Sequence, residues 1–309
     1  MNFYFIVSTE ADIPSKELLT KLNSRGKVII IRHKGKILEI KQLKSDKSEK
    51  ILGLDPKVFG WDLDVKSFKY IPNVKAVCTS STSFDWLNPK ELGKMGIVVC
   101  NVPGFSSDSV AEYVLAMAIE VTRGLPSLIK NGWKNDFKNL PILLKGKTVG
   151  IIGLGRNGKR IAELFQGIGM NVIYWSRKTK DKRFKYVELD DLFKISDLII
   201  PMLVENPETK KIIAHRRLNL IKKTAVLVGI NRVRAVWDEG YILKKVGEGK
   251  IGGYALEGEG LKDPTEYKGN VWPVPPIAGY TKDAFDNLKK IWVENMLNAF
   301  KGKYSGRVN

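Results

Sequence analysis

The sequence predicts an α/β protein of two doubly wound parallel-sheet domains, and three observations carry that expectation. Short β-branched or aromatic runs recur at spacings of about 20 to 30 residues, which leaves room for a crossover helix between consecutive parallel strands. Several runs are apolar on both faces, as strands covered by helices on either side must be. The runs fall into two consecutive sets of five, and 309 residues is the length of about two domains.

The first set comprises residues 3–8, 28–32, 51–54, 75–79 and 98–101. A helix over 109–123 follows, opened by Ser107-Asp108-Ser109, with Val110, Val114, Leu115 and Ala118 on one face. Its expected job is to tie the two domains together. The second set comprises 148–153, 171–175, 197–202, 225–229 and 252–256. A closing helix over 281–300 spaces Phe285, Leu288, Ile291, Trp292 and Met296 as a buried stripe. The Lys-rich stretch 41–50 reads as a solvated loop.

Composition narrows the class further. With 43% hydrophobic and 28% charged residues, disorder, collagen and coiled coil are excluded as the main theme. Cys78 and Cys100 lie in apolar runs and cannot make a disulfide framework or a four-ligand zinc site, so a reducing cytoplasm and no metal are expected. No apolar run reaches the roughly 18 residues of a membrane span, because Glu112 and Glu120 break the best candidate. The N-terminus reads as a first strand and not as a signal peptide. A net charge of +19 favours anionic partners, but no nucleic-acid recognition motif accompanies it. His33 and His215 read as surface residues.

The most specific feature is Gly153-Leu154-Gly155-Arg156-Asn157-Gly158, preceded by a strand, continued by a helix and followed by a second strand. The first glycine permits the tight turn, the second lets a diphosphate approach the backbone, and the third lets the helix pack on the strand. Free amides and a partial positive charge at the helix N-terminus complete a dinucleotide site. Arg156 and Asn157 belong to it by position. A triphosphate-binding reading of Gly153 to Lys159 fails at Arg160, where a Ser or Thr would have to hold Mg²⁺.

The end of the second strand reports the cofactor. An acidic residue there accepts the ribose hydroxyls and repels a 2′-phosphate, whereas this chain has Ser176, Arg177 and Lys178. A hydroxyl beside a guanidinium suits a phosphate, so NADP is expected, with NAD as the alternative.

With these motifs the sequence resembles the D-isomer-specific 2-hydroxyacid dehydrogenases, the family of glyoxylate, hydroxypyruvate and phosphoglycerate reductases. The likeness spans most of the chain. Ser83-Phe84-Asp85 is similar to the Gly-Tyr-Asp of the family's substrate loop, with Ser83 in place of glycine. Asn101-Val102-Pro103-Gly104, Val110-Ala111-Glu112 and Pro207-Glu208-Thr209 follow in the family's order. The resemblance implies a discontinuous substrate domain of flavodoxin-like form, residues 1–97 plus 280–309, and a Rossmann cofactor domain over 98–279. It also implies an active site in a closing cleft between them, and a homodimer.

Reducing a 2-keto acid needs a cation for its carboxylate, an acid to protonate the new alkoxide and a carboxylate to tune that acid. In the family these are Arg, His and Glu. The resemblance assigns the first to Arg232, which with Ser83 would hold the substrate. Asp263 matches the Glu only with one residue inserted, and Glu257 and Glu259 are alternatives. The His position aligns with Pro276, which has no titratable group, so Tyr280, Lys282 or a water would have to deliver the proton. Two readings remain open. One is an NADPH-dependent reductase of a small anionic 2-keto acid such as glyoxylate or hydroxypyruvate. The other is a cofactor-binding sensor or interaction protein with lost or altered catalysis.

Overall fold

Parallel pairing organises the whole chain. The computed structural model describes residues 1–134, 140–204, 206–230 and 236–309. It divides into one unit of Met1–Ser106 with Thr281–Asn309 and a second of Ser107–Tyr280.

The first unit holds β1 (Asn2–Val7), β2 (Lys27–Arg32), β3 (Lys50–Leu54), β4 (Val74–Thr79) and β5 (Val98–Cys100), all parallel in the order β2-β1-β3-β4-β5. Because β5 pairs with β4, the expected boundary at residue 97 shifts: the strand belongs to this sheet and not to the cofactor domain. One face of β1 presents Tyr4 and Ile6 to a core shared with Leu52, Leu54 and Val77. The other presents Phe3, Phe5 and Val7 to the helix Lys282–Phe300. That helix starts where Thr281 accepts the Ala284 amide at 3.2 Å, a side-chain cap for an otherwise orphaned donor. Leu288, Trp292 and Met296 of the expected stripe are buried, while Phe285 and Ile291 are only partly so. Trp292 is fully buried and its indole donates to the Cys78 carbonyl at 2.7 Å, so its ring is satisfied at both its apolar and its polar end. Residues 305–309 return along β5, with Asn101 N–H to Gly306 O at 3.0 Å and Val308 N–H to Val99 O at 2.9 Å. Those bonds use up groups that an open sheet edge would leave unpaired.

The second unit holds β6 (Thr148–Ile152), β7 (Asn171–Trp175), β8 (Lys185–Tyr186), β9 (Leu198–Pro201), β10 (Val226–Gly229), β11 (Gly253–Glu257) and β12 (Val271–Val274). They are parallel in the order β12-β11-β10-β9-β6-β7-β8. The strand order reverses beside β6, so the glycine turn that follows β6 lies at the switch point where α/β sheets bind ligands. The helix Ser107–Thr122 packs within this unit, on β10, β11 and the helix Arg156–Gly167.

β8 and β12 were not among the expected strands. β8 has two residues, too few for a pattern. β12 contains Pro273, which cannot donate to a ladder and is tolerated because β12 is the last strand of the sheet. Among the described residues no helix is long and apolar enough to cross a membrane.

Candidate active site

The glycine turn is built as its spacing predicts. Gly153 adopts φ +102°, and a Cβ there would meet the Met202 carbonyl oxygen at 2.8 Å. A Cβ on Gly158 would lie 2.1 Å from the Gly153 carbonyl oxygen, so the helix Arg156–Gly167 approaches β6 as closely as backbone allows. A Cβ on Gly155 would meet nothing within 4 Å. Two glycines are therefore required by the protein's own packing, and the third borders open space at a helix N-terminus. That combination fits a dinucleotide diphosphate, which needs bare backbone on its side of the turn. Asn157 is fixed in the first turn by the Ser107 hydroxyl, which lies 2.8 Å from its Oδ1.

At the end of β7, Ser176 is buried and its Oγ accepts the Thr179 amide at 3.2 Å, which leaves its O–H as a donor. The Arg177 guanidinium forms an ion pair with Glu208. Lys178 is exposed, with no carboxylate partner among the described residues. Arg183 spans Asp181 and Glu163 at 2.8 Å each, and Lys180 sits 3.5 Å from the centre of the Tyr186 ring. Bonds from Arg183 and Lys159 hold the Asp181 carboxyl well below the usual range.

In the first unit, Ser83 lies in the loop directly after β4. Its carbonyl accepts from the Ser81 hydroxyl at 2.6 Å and from the Trp86 indole at 3.2 Å. The Asn101-Val102-Pro103-Gly104 motif clamps this loop: Asn101 Nδ2 donates to Thr82 O at 2.7 Å, and the Thr82 hydroxyl donates to Val102 O at 3.0 Å. Asn295 in turn donates to Asn101 O at 2.8 Å. The motif's short polar side chain thus gives the Thr82 carbonyl a partner and ties the loop to the strand end.

The segment around Pro276 is anchored within the second unit from two sides. Glu257, buried at the end of β11, accepts the Ala278 amide at 2.8 Å. The Tyr113 hydroxyl donates to Pro275 O at 3.0 Å. Burial, with the Glu257 and Glu120 carboxylates nearby, pushes the Tyr113 phenol up to about 12, so it stays protonated and keeps its hydrogen bond to Pro275 at neutral pH. Neither Tyr113 nor the anchoring role of Glu257 was anticipated; the signal available was the position of Tyr113 directly after Val110-Ala111-Glu112. Asp263 is exposed and committed to a cap, its Oδ1 accepting from the Thr265 amide at 2.9 Å and the Thr265 hydroxyl at 2.5 Å. Those bonds hold its carboxyl below the usual range. Glu259 is exposed, as are Tyr280 and Lys282. Arg232 lies outside the described residues. Among the described residues no group of three or more His, Cys, Asp or Glu is placed to hold a metal ion.

Residues 112–266 match the family model of the D-isomer specific 2-hydroxyacid dehydrogenase NAD-binding domain. A glyoxylate reductase of Aeropyrum pernix is 31% identical over 263 residues, covering 78% of each chain. The chain belongs to the D-isomer specific 2-hydroxyacid dehydrogenase family. A nicotinamide dinucleotide is thus the cofactor class of its second unit. Two solved structures of family-like fold cover nearly the whole chain. A glyoxylate reductase from Paecilomyes thermophila has TM-score 0.79 at 21% identity, over 99% of this chain and 98% of that one. An acyclic imino acid reductase in complex with NADPH and D-Arg has TM-score 0.78 at 23% identity, over 100% of both chains. The family match spans the glycine turn, the end of β7 and the end of β11, while Ser83 and Pro276 lie outside the matched residues.

Proposed function

We propose that this dehydrogenase-family chain reduces a small 2-keto acid of the glyoxylate or hydroxypyruvate kind with NADPH. The carrying observation is a dinucleotide turn whose following strand ends in Ser176-Arg177-Lys178, with a hydroxyl and two cations where an acidic residue would accept the ribose hydroxyls. Relatives named as glyoxylate reductases support the substrate class.

Bound NADPH would supply the hydride, and the chain's own residues do the rest. Gly155 and the amides of Arg156 and Asn157 hold the diphosphate, Gly153 and Gly158 keep that surface bare, and Ser176, Arg177 and Lys178 take the 2′-phosphate. Arg232 binds the substrate carboxylate by its planar fork, with Ser83 from the clamped loop as the second substrate contact. Pro276, standing where the family places its His, gives no proton. The proton comes instead from exposed Tyr280, Lys282 or a water, because the Tyr113 hydroxyl is committed to the Pro275 carbonyl. Asp263, the first choice for the tuning carboxylate, is occupied as a cap, and buried Glu257 takes that place by holding the Pro275 to Ala278 segment. General acid catalysis contributes about 10²–10⁴-fold, so a replaced donor slows the reaction without removing the hydride step.

A homodimer in the cytoplasm belongs to the same proposal. Exposed Ile119, Trp133, Leu140 and Leu143 give the second unit apolar surface for a partner to cover. Pro276 also favours the second reading, a cofactor sensor without turnover. Titrating NADPH and NADH into the protein tests the cofactor assignment. NADPH binds more tightly if the reading holds, and tighter NADH binding would sink it.

A further inference from the structure

A cavity lies wholly within the first unit, at the carboxyl ends of β2 and β3, with a volume of about 710 Å³. That is the size of sites that hold small organic molecules. A backbone bond from Gly35 N–H to Val58 O at 3.0 Å ties the loop after β2 to the loop after β3 and fixes the wall between them. The lining is apolar at depth, where Ile37, Val58, Phe59 and Leu63 are all buried.

The polar lining is cationic in excess, with three lysines against two aspartates. Lys57 is held by Asp12 at 3.2 Å. Asp64 is occupied by the Lys66 amide at 3.0 Å and the Ser67 hydroxyl at 3.2 Å. The Lys34 and Lys36 ammonium groups have no ion-pair partner among the described residues and both residues border the cavity, while the nearby Glu39 carboxylate accepts the Lys36 amide at 3.2 Å. Beside it the chain turns through two consecutive left-handed residues, Gly60 at φ +60° and Trp61 at φ +61°. For a tryptophan that conformation is strained, and strain of this kind concentrates at ligand clamps. Phe59 stacks on Trp86 at 6.1 Å, and Trp61 meets Trp86 edge-on at 6.4 Å, so a ligand against Phe59 would alter the environment of both indoles.

We propose that this cavity is a binding site for an organic anion with a flat apolar body, an aryl carboxylate in chemical class, separate from the dinucleotide site. The body takes the Phe59 and Leu63 side, and Lys34 and Lys36 take the carboxylate.

The test titrates 1-naphthaleneacetate into the full chain and follows tryptophan fluorescence. Uncharged 1-naphthaleneacetamide and a Lys34→Glu/Lys36→Glu double variant are run alongside. The expected result is a saturable change that weakens about tenfold or more for the amide and for the variant, the size of one lost charge-assisted contact. An unchanged melting temperature and tryptophan emission spectrum of the unliganded variant report that it folds, and unchanged NADPH binding separates this inference from the reductase reading. No saturable change up to roughly 10 mM, a range that still detects the weakest specific sites, overturns it. So does equal binding of acid and amide, or displacement of the acid by glyoxylate, which would place it in the substrate site.

Discussion

The Gly153 carbonyl oxygen occupies the space that a Gly158 side chain would need, 2.1 Å from its ideal Cβ. Gly158→Ala must therefore push the helix Arg156–Gly167 away from β6, at about 1–3 kcal/mol for an overpacked contact. Gly155→Ala meets nothing in the protein and should leave the melting temperature within error while filling the diphosphate's approach. Thermal unfolding with and without NADPH separates the two. The first variant loses stability in both conditions, and the second loses only the cofactor's contribution.

Arg177 is engaged by Glu208 before any phosphate reaches it. Glu208→Gln frees the guanidinium and removes a charge that opposes the 2′-phosphate. NADPH affinity should rise by up to about fivefold, the worth of an exposed ion pair, with NADH affinity unchanged. Arg177→Ala should weaken NADPH selectively. Fluorescence titration of both cofactors reads both results.

Glu257 anchors the Pro275 to Ala278 segment through the Ala278 amide. Glu257→Ala strands that buried donor and should cost about 1–3 kcal/mol in urea unfolding. Glu257→Gln keeps an oxygen at the position and should cost less. Equal losses would show that the charge, not the hydrogen bond, holds the segment.

Asp197 joins the start of β6 to β9, accepting from the Thr148 amide at 2.9 Å and Lys222 at 2.8 Å. Burial works against its ionisation, but those bonds prevail and hold its carboxyl below the usual range. A depressed folded-state pKa means stabilisation that is complete above the unfolded value of about 3.9 and fades as pH falls through the lower folded value. Asp197→Asn should therefore lower the melting temperature at neutral pH and lower it less near pH 3.

How legible each part was in the sequence follows from what the physics writes there. The glycine turn was readable because Gly153 and Gly158 answer to backbone crowding that no other residue tolerates. The fold class was readable because doubly covered strands must be apolar throughout. β12 was hidden by Pro273, which is allowed only because the strand is at the sheet's edge. The run 98–101 was readable as the fifth strand of the first set, and its pairing with β4 agrees with that grouping over the boundary after residue 97 that the resemblance implied. Arg177 was visible as a cation, but its pairing with Glu208 depends on a residue in the loop after β9. Asp263 precedes a proline, and an Asp there is equally a cap for the turn Pro264–Glu266, which is what it does. Tyr113 reaches the Pro275 carbonyl across the fold, from a residue 162 positions away in sequence.

The central claim is that a chain with Pro276 in place of a general acid still reduces a 2-keto acid. The direct measurement is the initial rate of NADPH oxidation with glyoxylate or hydroxypyruvate, for the native chain and for Pro276→His. Turnover by the native chain, made faster by the introduced imidazole, is the expected result. Cofactor binding without native turnover, whether or not the histidine variant is active, would contradict it and leave the sensor reading in its place.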